Sequence, residues 1–423
     1  MQQETSEKVI RPPSSVLRPP TWRTPAVILV CGCLIGTLGF GARAGLGLFL
    51  TPMSSTYGWG RDVFALALAI QMLLWGAAQP FAGALADRFG PVPVLSVGSI
   101  LYAAGLASMA HATTPAMLHL TAGVVIGFGL AGASFTIVIG AFGKLMPPHW
   151  RSIAFGAGTA AGSFGQFLFS PLSVALMDRF GWQETLVIFA GVVLLIMPLS
   201  LALGVRREGG TPAAASAAPR QSVAQALSEA FGHTSYVLLV LGFFTCGFQI
   251  FFVAVHLPAY LIDRGLTAAD GAWTIAVIGL FNIVGSLMAG WFSSRVPKRY
   301  ILSFIYFARA VAILVFIMLP PDAILTLVFG AVLGLLWLST VPPTSGLVAL
   351  MFGTRWLAML FGFAFFSHQV GGFLGVWLGG LLFERTGSYD MVWWLSILLG
   401  LLSAVINLPI VEKPVERAAP AAA

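Results

Sequence analysis

Charge is what this sequence has least of. Asp, Glu, Lys and Arg together make up 9% of its 423 residues, against 58% hydrophobic residues, and the mean hydropathy is +0.92. That balance excludes an ordinary water-soluble domain and places the chain in a bilayer. Cysteine is almost as scarce. Cys31, Cys33 and Cys246 all fall in apolar segments, the first two on diverging faces of one helix. They offer neither a disulfide framework nor metal-ligand spacing, so no metal or cofactor is expected. A G-x-x-x-x-G-K-[ST] loop is missing, which excludes a P-loop ATP pump. His256 and His368 stand without neighbouring ligands or nucleophiles, so an enzyme is not expected. Acidic residues are missing from the interiors of the apolar stretches: Asp62, Asp87, Asp178, Glu184, Asp263, Asp270, Asp322, Glu384 and Asp390 all sit at stretch ends.

Twelve apolar stretches are present, near 26–50, 62–86, 92–111, 116–143, 152–178, 183–204, 236–262, 270–293, 300–319, 323–348, 355–383 and 389–410. Each is long enough for the roughly 20 residues a spanning helix needs. Backbone groups in lipid must pair internally, so helices or a closed barrel are the options, and runs without strict alternation exclude the barrel. The expected fold is an all-α membrane protein of twelve transmembrane helices. Residues 1–25 are polar and proline-rich and lack a signal-peptide pattern, so the first helix is expected to be an uncleaved anchor.

The net charge of +7 is explained by topology and not by nucleic acid. With both termini cytoplasmic, sixteen Lys and Arg residues fall in inner segments and four, Arg61, Arg179, Arg264 and Arg385, in outer ones. Such a bias fixes orientation. The remaining two cations, Arg43 and Arg309, lie within spans. A guanidinium at mid-membrane costs about 2.5–3.5 kcal/mol on insertion scales. With no fixed counter-ion in the spans, Arg43 points to a cavity that receives a mobile anion.

The second half echoes the first at an offset of about 206 residues: Ala82-Gly83 matches Ala289-Gly290, Asp178-Arg179 matches Glu384-Arg385, and Pro52 matches Pro258. Two six-helix halves, 26–204 and 236–410, are therefore expected to be related by pseudo-symmetry, as in many transporters. Residues 205–235 read as a cytoplasmic linker, Gly/Ala/Ser/Pro-rich at first. Val223, Ala226, Leu227, Ala230 and Phe231 then recur at helical spacing, as in a short amphipathic helix. Residues 1–25 and 411–423 are the tails.

Gly83-Ala84-Leu85-Ala86-Asp87-Arg88-Phe89-Gly90 resembles the G-x-x-x-D-R-x-G loop signature of the major facilitator superfamily. The resemblance implies that fold and a gating role for Gly83, Asp87, Arg88 and Gly90. Gly39-Phe40-Gly41-Ala42-Arg43-Ala44-Gly45, His256-Leu257-Pro258-Ala259-Tyr260 and His368-Gln369 resemble a bacterial branch close to the monocarboxylate transporters and oxalate/formate exchangers. By that resemblance the chain is expected to carry a small organic anion across the inner membrane of a bacterium as a monomer, with a proton as the candidate co-transported ion. The Asp/Arg pair of helix 8 in animal monocarboxylate carriers is replaced by Asn282 and Ser286, and Ser163 stands where drug/proton antiporters carry a motif proline.

Arginine suits a carboxylate because its planar fork donates two parallel hydrogen bonds. Arg43 is the leading candidate for substrate contact. The internal offset sets Gln249 opposite it, and Gln166, His368, Gln369 and Arg309 complete the candidate set. Arg309 is also suited to pairing with backbone carbonyls. His368 and His256 are the proton-coupling candidates, because histidine titrates near neutrality; His256 lies closer to the outer end. Trp75, Trp337 and Trp377 are candidate apolar walls. The alternative function is efflux of amphiphilic compounds.

Overall fold

A computed structural model describes residues 22–204, 222–320, 322–353 and 356–415. Most of both tails, the linker segment 205–221 and the side chains of Asp87 and Arg88 lie outside the described residues.

Among the described residues there are helices and no strands. The spans are α1 (Pro25–Tyr57), α2 (Arg61–Phe89), α3 (Pro91–Ala110) and α4 (Pro115–Leu145), then a long run, Pro148–Leu194, that continues through short turns to Leu203. At about 1.5 Å per residue such a run is roughly twice the thickness of a bilayer. Gly181 divides it: its φ of 82° and ψ of 167° suit a residue without a Cβ, and they separate α5 (148–180) from α6 (182–203). The second half holds α7 (Thr234–Asp263), α8 (Ala268–Ser293), α9 (Lys298–Met318), α10 (Ala323–Phe352), α11 (Leu357–Thr386) and α12 (Asp390–Asn407). Twelve spans result, in two halves of six. Helix packing repeats between the halves: α1 on α5 and α7 on α11, α2 on α4 and α8 on α10. Gly165 and Gly371, one offset apart, each rest on a backbone carbonyl, of Thr37 and Phe244 respectively.

The helix termini follow the sequence. Thr24 caps α1 through its side chain, which accepts from the Val27 N–H, and Pro25 occupies the first turn, where a missing N–H costs nothing. Ahead of α7, Ser222 and Gln225 form a reciprocal capping box on the helix Val223–Phe231, in the stretch where the apolar spacing predicted one. Several spans are broken, among them α4 at Ala133–Ser134, where Ser134 is extended. α1 changes to a 3-10 turn at Leu46–Phe49, directly after Arg43, so it reaches Tyr57 and not residue 50. α10 breaks between Leu336 and Val341. Bare backbone at that depth must be paired: Arg309 donates to the carbonyls of Leu336 and Trp337, and the Asn282 side chain accepts from the Leu338 N–H at 3.0 Å.

Small residues set the approach of α7 to α11. A Cβ at Gly247 would stand 1.7 Å from the His368 carbonyl oxygen, whereas Gly290 faces open space. Gly247→Ala is expected to force the two helices apart and destabilise the protein by about 1–3 kcal/mol or more, as overpacking does. Gly290→Ala is the comparator. Thermal unfolding of the two purified variants checks this, and equal midpoints would contradict it.

Candidate functional site

Arg43 is buried near the middle of the fold, 7% exposed, although it ends a helical segment. Its guanidinium lies between the Trp75 ring from α2, 5.0 Å from the centroid, and the Phe251 ring from α7, at 4.6 Å. One terminal nitrogen, Nη2, is 2.6 Å from Met72 Sδ, a weak acceptor, and Nε has no hydrogen-bond partner. Among the described residues no carboxylate pairs with it. The two rings stabilise the cation but accept no in-plane hydrogen bond from it. A cavity of about 20 Å³ adjoins it, lined by Arg43, Gly47, Leu68, Gln71, Met72 and Ala254 among others. That is room for about one water molecule, so nothing larger enters unless these helices part.

His368 reaches the same aromatic frame from α11. Its ring packs against Phe243 (4.9 Å), Phe251 (5.4 Å) and Phe365 (5.8 Å), and Trp75 meets Phe365 edge-on at 5.9 Å. Phe251 thus touches both the arginine and the histidine. Nδ1 lies 3.2 Å from Gln369 Oε1. An amide oxygen only accepts, so Nδ1 carries the N–H of the neutral ring. Nε2 is buried without a partner and becomes a donor once protonated. The site therefore holds two incompletely satisfied nitrogen groups, Arg43 and His368, one from each half, within walls of Trp75, Phe251 and Phe365.

The other candidate residues divide. Gln369 donates to the Met72 carbonyl at 3.4 Å, tying α11 to α2 beside Arg43. Gln166 donates to the Ile275 carbonyl at 3.0 Å, and Asn282 donates to Ser163 Oγ at 3.0 Å, tying α5 to α8. These are polar seams between the halves. Gln249 does not face Arg43. Its amide donates to the Ser396 carbonyl at 2.9 Å, and its oxygen accepts from Arg309 at 3.5 Å. Phe251, two residues on and about 200° round the helix, occupies the position opposite Arg43. Arg309 is fully buried, spends its donors on Gln249 and the α10 carbonyls, and leaves Asn282 to Ser163 and Leu338. It belongs to a cluster at the α10 break, which Cys246 joins to His368. Trp337 lends that cluster its carbonyl; Trp377 packs near Phe373. Gly83 lies beside open space, and Gly90 ends α2 with a φ of 92°, its N–H donating to the Ala86 carbonyl at 2.9 Å.

A second polar cluster closes one face. Arg61, the first residue of α2, makes a bidentate pair with Asp263 at the end of α7, at 2.5 and 2.6 Å. It donates to the Tyr389 hydroxyl at 3.1 Å and lies over the Phe383 ring at 4.1 Å. Glu384 from α11 accepts from the Arg61 backbone N–H at 2.6 Å. Gly60 gives α2 no side-chain cap, so a carboxylate from the opposite half takes that place at the positive end of the helix. His256 is buried within the cluster, with Nδ1 3.2 Å from Tyr389 Oη and Nε2 2.8 Å from the Val376 carbonyl. It is enclosed, not at an open entrance. The sequence signal for this cluster is charge at span ends, which Arg61, Asp263 and Glu384 share.

The helical fold and its two seams leave many transporter families possible. A family model described as Major Facilitator Superfamily matches residues 32–376. The chain belongs to the Major Facilitator Superfamily. This member is 27% identical over 386 residues to an uncharacterised MFS-type transporter, YcxA, of Bacillus subtilis (strain 168), covering 86% of this chain and 90% of that protein. It is 26% identical over 387 residues to monocarboxylate transporter 11 of Homo sapiens, covering 88% and 79%. A crystal structure of a bacterial homolog to human lysosomal transporter Spinster, inward-facing and occupied, superposes with a TM-score of 0.72 at 13% identity, covering 90% and 96%. A D-xylose-proton symporter gives 0.68 at 13%, covering 92% and 98%. These likenesses establish a superfamily transporter, related at low identity to monocarboxylate transporters, and the members of that superfamily are not enzymes.

Proposed function

We propose that this transporter carries a small, monocarboxylate-like organic anion by alternating access, with Arg43 as the group that holds the carboxylate. The observation that carries this reading is a buried guanidinium with no acid beside it and an unpartnered Nε. A carboxylate entering between the halves meets the Arg43 donors from α1. On protonation His368 adds an N–H from α11, so acid favours binding. The body of the anion lies against Trp75, Phe251 and Phe365. Gln166 and Gln369, at the seams, couple occupancy to the separation of the halves. The names of several relatives, monocarboxylate transporters 11, 12 and 13, point to the same class. A second reading, efflux of amphiphilic compounds, draws on the aromatic frame alone. Thermal-shift measurements on purified protein separate the two: carboxylates raise the unfolding midpoint, by linkage to the folded state, and hydrophobic cations do not. The reverse pattern would favour efflux.

The distribution of Lys and Arg supports both termini facing the cytoplasm of a bacterial cell, with the Arg61 face outward. Single cysteines placed in 205–221 are then expected to resist an impermeant thiol reagent on intact cells, while a cysteine at exposed Arg264 reacts. Labelling of the linker would reverse the orientation. Residues 26–204 and 236–410 act as the two moving units in this reading.

A further inference from the structure

The Tyr389 hydroxyl is shared. Arg61 Nη1 donates to it at 3.1 Å and His256 Nδ1 lies 3.2 Å away. The partners fix the protons. The Val376 carbonyl only accepts, so His256 Nε2, at 2.8 Å, carries an N–H. Arginine only donates, so the Tyr389 oxygen accepts from Arg61 and sends its own proton to the lone pair of His256 Nδ1. Neutral histidine thus completes an unbroken chain: Val376 carbonyl, His256, Tyr389, Arg61, Asp263. Added to Nδ1, a further proton removes the acceptor. Nδ1–H then faces the hydroxyl, the tyrosine proton loses its place, and an imidazolium stands one hydroxyl away from a guanidinium.

The surroundings do not relieve that conflict. His256 is fully buried, between the Phe252 ring at 5.6 Å and the backbone of Gly379. The titratable and charged groups around it are Arg61 from α2, Tyr260 and Asp263 from α7 with Arg264 just beyond its end, Glu384 from α11, and Tyr389 and Asp390 at the start of α12. Asp263 and Glu384 already engage Arg61, and Asp390 is exposed. Like charges in so enclosed a place repel strongly.

We propose that His256 is the proton-binding group that unlocks the Arg61 face. Its protonation breaks the Tyr389 bridge, displaces Arg61 and frees α2 from α7, α11 and α12. The open form therefore holds the proton more tightly than the closed form, and the open fraction rises as pH falls. Tyr389 is the positioning residue that transmits the change. The inference rests on the alternating-access reading but needs no substrate.

Double electron–electron resonance tests it on the full chain in nanodiscs, without substrate. Cys31, Cys33 and Cys246 are replaced, and spin labels are attached through Ser55→Cys on α1 and Ala269→Cys on α8, both exposed at this face. Between about pH 7.5 and about pH 5.5, where histidine ordinarily titrates, the open-to-closed ratio is expected to rise by up to about tenfold per unit, the limit for one linked proton. His256→Gln, which keeps a donor for Val376 and an acceptor for Tyr389, is expected to stay closed throughout. Tyr389→Phe, which cuts the chain while leaving the histidine, is expected to lose the pH response. Arg61→Ala is expected to open at every pH. A pH response surviving in His256→Gln, or absent from the parent while Arg61→Ala opens, overturns the inference and leaves alternating access standing. A distance unchanged in every variant overturns both.

Discussion

Arg43→Ala is expected to abolish uptake while leaving the protein folded and in the membrane at near-normal levels. The side chain receives little from its neighbours: two ring faces and one thioether, with Nε unpartnered. Removing it strands no acceptor that depends on it, since a thioether is only weakly one, and it lifts the cost of a charge in the bilayer. In the proposed role, what it removes is the charge-assisted pair with the anion, worth about 1.5–3 kcal/mol per hydrogen bond. Arg43→Lys keeps the charge but not the fork, and is expected to restore uptake only in part. Uptake at native levels in Arg43→Ala would contradict the assignment.

Arg309→Ala is expected to fail in the opposite way. This arginine is also buried in the membrane, but its donors satisfy the broken end of α10 and Gln249. Alanine leaves those carbonyls bare at membrane depth, where each orphan costs about 1–3 kcal/mol. A loss of about 3 kcal/mol or more is expected, seen as low membrane levels and a depressed unfolding midpoint, with no selective change in substrate affinity in the protein that survives. Normal levels with altered affinity would move Arg309 into the binding site. The same residue type at similar depth thus gives a functional lesion at one position and a structural lesion at the other. Unspent donors distinguish the two.

Much of the fold was legible because the bilayer imposes it. Span number, the two halves and the helix after Ser222 follow from hydropathy, the offset repeat and the spacing of apolar residues. That Arg43 lies in a span without an acid was legible too from a count of charges by position, although the same count did not separate it from Arg309. Which way each helix turns was not legible. In lipid both faces of a span are apolar, so hydropathy does not separate the face toward the centre from the face toward the bilayer. The offset therefore set Gln249 opposite Arg43, while packing of Gly247 against the His368 backbone turns α7 so that Phe251 faces the arginine. The Arg61 cluster was hidden for another reason. Arg61, Asp263 and Glu384 are far apart in sequence, and at span ends each looks like an ordinary charge facing water. Only the approach of α2 to α7 and α11 makes them one latch.

The most direct test of the account is equilibrium binding of a radiolabelled carboxylate, chosen by the thermal-shift panel, to purified parent protein and Arg43→Ala. Loss of one charge-assisted pair corresponds to about tenfold or more in Kd, so the variant is expected to bind at least that much more weakly, with Arg43→Lys between them. An unchanged Kd in Arg43→Ala would show that the anion is held elsewhere.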